Sequence, residues 1–240
     1  MMTSISAKGL DFRALSDKIR SVPGDIAVTD CLGQRFIGAG QSGRRIEIHG
    51  VPGNALGAYL NGADIEVFGS AQDAVGDTMN AGDVIIHGNI GDTAGYAMRG
   101  GRIFVEGSAG YRAGIHMKSY RDRMPVLVIG GSAGSFLGEY QAGGIIIVLG
   151  LGRKAPIVSN FPCTGMHGGK LFIRSRCEDV LFPQQVRARE ATREDLREIE
   201  PHRGEFCARF GGSLEELLAS PYTVVTPDTK NPYKQMYVQN

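Results

Sequence analysis

A chain of 240 residues with 26 Lys and Arg against 25 Asp and Glu carries a formal charge of +1, so it has no global basic field to draw nucleic acid or an anionic membrane. No apolar run approaches the roughly 18 residues of a membrane-spanning helix, and Met1 to Ala14 lacks the charged-then-apolar pattern of a signal segment. Cys31, Cys163, Cys177 and Cys207 are scattered without a CxxC pair, which speaks against zinc, an iron–sulfur cluster or a redox dithiol and predicts free thiols in a cytoplasmic protein.

In chain order, the first predicted element is a short amphipathic helix over Asp11 to Val22, with Phe12, Leu15 and Ile19 at helical spacing. Beyond it the 35 glycines, about twice the ordinary share, become periodic. They recur as Gly-x6-Gly-x11 through Gly50, Gly57, Gly69, Gly76, Gly88, Gly95, Gly107 and Gly114, a unit of 19 residues. Backwards the rule lands on Cys31 and Gly38. Forwards, after a five-residue insertion, it resumes at Gly131, Gly138 and Gly150. Seven coils start on this register, and a strand over Leu171 to Ile173 supplies an eighth.

A fixed period near twenty with a short β-rich segment in each unit predicts a stacked solenoid. Four residues before each marker glycine stand Ile46, Ile65, Val84, Ile103, Leu127 and Ile146, and two before it Ile48, Val67, Ile86, Val105, Ile129 and Val148. Alternation puts both columns on one face of the strand, so they read as inward ladders. Leu56, Val75, Ala94, Ala113 and Leu137, with Leu60, Met79, Met98 and Met117, fill the remaining interior columns. Even spacing makes the methionine stripe core rather than a soft metal site. The marker glycines, Gly69 and Gly88 among them, are expected at corners that need positive φ or close approach to the next coil. The fold class is therefore all-β: a right-handed parallel β-helix of about seven to eight coils, with a short N-terminal capping helix and a mixed C-terminal tail.

The column three residues before the marker faces outward on this scheme. It begins as Glu47 and Glu66 and then turns to Ile85, Phe104, Val128 and Ile147. Four apolar side chains in line predict a surface covered either by a partner or by the chain's own tail. Two loops break the period, Lys118 to Met124 and Leu151 to Gly168, and loops projecting from a solenoid are places for function. They offer His116, Lys118, Arg121, Arg123, Arg153, Lys154 and His167 as candidates, a basic patch if the loops meet and otherwise a solvated charge cluster. His49 and His87 share a column two coils apart, too far for one metal ion, and read as surface histidines. Neither histidines nor glycine-rich segments form a recognisable catalytic, nucleotide or metal pattern, so no catalytic, cofactor-binding or metal residue is assigned. In the tail, Thr192 to Asp195 and Ser213 to Glu216 resemble capping boxes opening two short helices, and Tyr222 to Asn240 reads as extended. The organisation is 1–23 capping segment, 24–176 β-helix, 177–240 tail.

Five phrases carry a family resemblance: Arg35-Phe36-Ile37-Gly38-Ala39-Gly40, Gly53-Asn54-Ala55-Leu56-Gly57-Ala58, Ala71-Gln72-Asp73, Gly114-Ile115-His116-Met117-Lys118 and Gly165-Met166-His167-Gly168-Gly169. The chain resembles the C-terminal β-helix domain of the glutamate synthase large subunit over most of 5–175. The C subunit of formylmethanofuran dehydrogenase shares the coil repeat but not the last two phrases. The resemblance implies a non-catalytic structural subunit of a glutamate-synthase-type complex in amino-acid biosynthesis. Its partners would be glutamine amidotransferase-type and FMN/iron–sulfur synthase-type subunits, and those partners, not this chain, would hold the FMN and the cluster. A formyl-transfer complex and an independent small-molecule-binding enzyme are the alternatives. Neither nucleic acid nor membrane is expected as a partner, and self-association is left open.

Overall fold

The computed structural model describes residues 2–154 and 156–228. Its strands are β1 (Thr3–Ser6), β2 (Ile26–Leu32), β3 (Arg45–Val51), β4 (Asn61–Phe68), β5 (Ala81–Ile86), β6 (Arg102–Val105), β7 (Val126–Ile129), β8 (Ala142–Val148), β9 (Gly168–Ile173), β10 (Val186–Glu190) and β11 (Thr223–Pro227). Three helices accompany them among the described residues: α1 (Phe12–Ser21), α2 (Arg193–Phe210) and α3 (Leu214–Ala219). One sheet runs β1 to β9 in sequence order, all parallel, and ends β9-β11-β10 with antiparallel pairings. This is a parallel β-solenoid of about eight turns.

The sheet register is the sequence period made physical. Ile46 pairs with Ile65, Ile65 with Val84 and Val84 with Ile103. Ile103 then pairs with Leu127, so the five extra residues leave the ladder intact and bulge out as a hairpin in which Tyr120 and Arg123 pair through their backbones. All twelve side chains of the two inward columns are fully buried, each contributing about 1.5–3 kcal/mol before chain entropy is subtracted. The Leu60, Met79, Met98 and Met117 column is also fully buried. It continues into Gln141, whose Nε2 donates to the Gly143 and Gly144 carbonyls at 3.2 and 3.1 Å.

The two glycines of each unit have different jobs. The second, such as Gly57, has φ +65° in a turn whose flanking residues are also left-handed, Ala55 at +62° and Tyr59 at +57°. That turn bonds to both neighbours: Ala55 N–H donates to the Asp73 carbonyl of the next coil, and Gly57 N–H to the Ile37 carbonyl of the preceding one, each at 2.9 Å. The marker glycine is first a matter of space, although Gly50 at φ +121° and Gly150 at +61° also use glycine's conformational freedom. Gly88 does not have positive φ, contrary to the corner conformation expected for it, and Gly69 at +158° borders the extended region. A Cβ on Gly88 would lie 2.9 Å from both the carbonyl carbon and oxygen of Gly69, closer than the two backbones allow.

The ends are closed differently. At the N-terminus Asp11 caps α1 by accepting from Ala14 N–H at 2.8 Å, and the helix buries Leu15 and Ile19. Arg44 from the first coil donates to the Ile19 and Val22 carbonyls at 2.9 and 2.8 Å, fixing the helix end. The same segment also contributes β1, a strand that no glycine marker signals, paired in parallel with β2. At the C-terminus α2 is one 18-residue helix containing Pro201, not a short one. Its Thr192–Asp195 capping box is fully formed, and Ser213 caps α3 by accepting from Glu216 N–H. Of the stretch expected to be extended, 223–227 is β11, while 229–240 lies outside the described residues.

Two substitutions separate close approach from conformation. Gly88→Val is expected to cost roughly 1–3 kcal/mol by overpacking two backbones, and an unchanged Tm would contradict the close approach. Gly204, inside α2, has only Leu214 Cδ2 at 4.0 Å and no positive φ, so Gly204→Ala should instead stabilise by about 0.5–1 kcal/mol in the same melting experiment.

Candidate functional site

The apolar column lies under the tail. Phe104, Val128 and Ile147 are fully buried in a second cluster, separate from the solenoid interior, with Phe172 and with Ile199, Phe206, Leu217, Tyr222 and Val224 of the tail. Local sequence makes room for this. The position just before the marker holds His49, Phe68, His87 and Glu106, but then Gly130, where a Cβ would lie 2.7 Å from the Phe206 ring. Helix α2 runs along the stack. Glu198 in its first half receives Lys170 of β9 at 2.6 Å, and Arg209 in its last turn reaches Asp83 of β5 at 3.0 Å. Eighteen helical residues span about 27 Å and five strands about 19 Å, so one helix covers all four apolar positions. Ile85, 4% exposed, sits at its end beside Arg209 in a small cleft also lined by Arg45, Asp64, Glu66 and Asp83.

Charges finish this surface. Asp83 binds Arg102 at 2.5 Å as well as Arg209, and both guanidinium groups lie over the Phe104 ring, 5.6 and 5.3 Å from its centre. His87 is half-buried: its imidazole lies 2.9 Å from Glu66, its ring stacks on Phe68 at 5.1 Å, and Phe210 meets its edge at 5.1 Å. Phe68 also stacks on His49 at 4.8 Å, so the two histidines sandwich a phenylalanine. Burial works to raise the Glu66 pKa, but the bonds from His87 and Arg45 outweigh it and leave it lowered. Burial and the nearby Arg102 lower the His202 pKa.

The two basic loops do not meet. Arg123 reaches the Asn80 carbonyl, ahead of β5, at 3.5 Å, whereas Arg153 reaches Ser108 Oγ, beyond the end of β6, at 3.3 Å. They flank opposite ends of the strand wall because the insertions fall at different corners of the coil. Lys154 stays with Arg153, exposed. His167 turns Nδ1 to the Gly165 carbonyl at 3.0 Å. His116, Lys118, Arg121 and Arg123 do share one corner, together with residues that sequence reasoning missed. His116 stacks on Tyr140 at 5.1 Å and meets Tyr96 edge-on at 5.9 Å, and Arg121 lies over Tyr120 at 5.3 Å. Arg99 stands one coil before Lys118 in the same nineteen-residue column, the signal that would have found it.

For small molecules the offer is modest. Two adjoining clefts of about 310 and 290 Å³ share Arg176, Cys177, Glu178 and Pro221 at the tail end of the solenoid. Burial raises the pKa of Cys177, so its thiol is no activated nucleophile, and burial pushes Cys31 up to about 11. Among the described residues no three His, Cys, Asp or Glu side chains gather as a metal site, and no helix is long and apolar enough to cross a membrane.

A family model described as the GXGXG motif matches residues 14–225. An uncharacterized protein of Methanocaldococcus jannaschii is 42% identical over 248 residues, covering 97% of this chain and 95% of its own length. Among solved structures, a chain of the formyltransferase/hydrolase complex FhcABCD from Methylorubrum extorquens, crystallised with methylofuran, superposes with a TM-score of 0.63 at 18% identity. That match covers 93% of this chain and 90% of the other and speaks to the fold alone.

The tail over the outer wall generates two expectations. Phe206→Ala should cost about 3–5 kcal/mol and open α2 to limited proteolysis before the coils melt. Asp195, bonded by Arg189 and by Thr192, has its carboxyl held well below the usual carboxylate range. Its contribution is therefore present at neutral pH and lost as pH falls below the unfolded value of about 4. Melting curves of Asp195→Asn should lack that part of the acid dependence.

Proposed function

The chain belongs to the GXGXG motif family, and from that membership we propose that it is a non-catalytic β-helix subunit of a multi-subunit enzyme complex. One observation carries the reading: the solenoid interior is filled by its own side chains from β2 to β9, so what the coils can offer is their outer surface. The candidate histidines do not supply a nucleophile with a base and an orienting group. The structural neighbour, itself a chain of a complex, supports the subunit reading.

Two assemblies fit. The neighbour's formyltransferase/hydrolase complex supports a formyl-transfer assembly and is the better supported by the comparisons. The phrases Gly114 to Lys118 and Gly165 to Gly169 support a glutamate-synthase-type assembly, in which amidotransferase-type and FMN/iron–sulfur-type partners would carry the chemistry.

Affinity purification of the tagged chain from its native host distinguishes them. Companions of formyltransferase or hydrolase type are expected on the first reading, and amidotransferase and flavin proteins on the second. A chain that retains no companion overturns the subunit reading. On either reading the isolated chain is expected to be colourless, and a stoichiometric flavin spectrum would contradict it.

A further inference from the structure

We infer that the corner formed by Tyr96, His116, Tyr140 and the hairpin from Lys118 to Met124 is a docking surface for a carboxylate-rich face of a partner subunit. This rests on the subunit reading and adds the partner's chemistry.

Unanswered charge is the first ground. Arg99, Lys118, Arg121 and Arg123 are all exposed, and among the described residues none forms an ion pair. On the strand wall, by contrast, Arg45, Arg102 and Arg209 are each neutralised by Glu66, Asp83 or both Asp83 and Glu205. The acids nearest in sequence and stacking are Asp122 at the hairpin tip, Asp77 a coil before Tyr96, and Glu139 beside Tyr140, which Arg112 already binds at 2.8 Å, too few to balance four cations. The hairpin is held against the coils rather than free: Lys118 N–H donates to the Met98 carbonyl at 3.0 Å, and Tyr120 and Arg123 exchange backbone bonds at 3.0 Å.

Backbone conformation is the second ground. His116, Tyr140 and Arg121 have φ of +56°, +52° and +58°, a region where bulky residues are strained at a cost of order 1–3 kcal/mol each. The column of His116 and Tyr140 elsewhere holds Gly40, Tyr59, Thr78, Ala97 and Gly165, so the turn works with small residues at four of these five coils. Only at His116 and Tyr140 do successive coils carry rings, and the two stack on one another, which spends stability without filling the core.

Composition is the third. Tyr96, Tyr120 and Met124 are 41, 45 and 46% exposed, and Tyr, Met and Arg are the residues enriched where protein partners bind. Rings already stacked lose little freedom on docking. A net charge of only +1 provides no wider field for a polyanion, so the cations best suit dispersed carboxylates on a folded surface.

The test uses the full chain, tagged, in its native host. One variant combines Arg99→Glu, Lys118→Glu, Arg121→Glu and Arg123→Glu; a control combines Arg153→Glu and Lys154→Glu at the opposite corner. Parental melting and circular dichroism establish folding, and if the fourfold variant fails this, Arg99→Gln with Lys118→Gln replaces it. The companions that wild type and control retain should drop roughly tenfold or more with the corner variant, and wild-type retention should weaken between about 50 and 500 mM salt. Carbodiimide should join the Lys118 amine to an Asp or Glu of a companion. Full retention by the corner variant overturns the docking assignment while leaving the subunit reading intact. A carbodiimide link to a second copy of this chain, or retention abolished by nuclease, also overturns it. A wild-type chain without companions overturns the subunit reading itself.

Discussion

Successive coils meet at their marker glycines too closely for a side chain to fit, where a Cβ on Gly69 would lie 2.6 Å from the Gly50 carbonyl oxygen and one on Gly107 2.7 Å from that of Gly88. Closeness there lets the strands stack at the ordinary spacing of about 4.8 Å while the chain turns a corner. Everything inside follows. With the corner fixed, residues four and two before it are held in line, and twelve aliphatic side chains stack into two ladders. The register survives a five-residue insertion because the insertion enters where the chain is already turning away from the strand, after Met117.

Outside, the same stacking turns each column into a surface with its own chemistry. A column that starts as Glu47 and Glu66 and ends as Phe104, Val128 and Ile147 divides one wall into a solvated part and an apolar part. Helix α2 lies over the apolar part and ends where the charged part begins, at Arg209 and Phe210 against Asp83 and His87. Antiparallel β11 and β10 then close the last coil, so the sheet ends on β10, Val-Arg-Ala-Arg-Glu, a short edge strand whose charges discourage further pairing.

What was legible in the sequence was whatever the period repeats. The inward ladders, the methionine column, the insertion, the amphipathic helix α1 and the helix caps at Thr192 and Ser213 are local or nineteen-residue signals, and the structure has them. Less legible were features that depend on one position meeting another far away. Pro201 reads as a break, yet α2 continues through it because Ile199 and Phe206 on either side are buried against the wall. Segment β1 has no glycine marker and is a strand because β2 offers it an edge. The absence of positive φ at Gly88 was hidden because a glycine needed for space and one needed for conformation look alike in sequence. Sequence adjacency groups the basic candidates into two loops, whereas the nineteen-residue columns place Arg99 beside Lys118 and leave Arg153 elsewhere.

The arrangement of α2 also orders events during synthesis. Each coil contacts the one made nineteen residues earlier, so the solenoid can assemble turn by turn as it leaves the ribosome. Phe104 emerges long before Phe206, the residue that helps bury it, and at about 5–20 residues per second the wait is roughly 5–20 s. For that interval the nascent coils present an uncovered apolar wall. Chaperones that hold nascent chains therefore have a defined target here, the outer faces of β6 to β8, and release is set by translation of α2 rather than by closure of the coils.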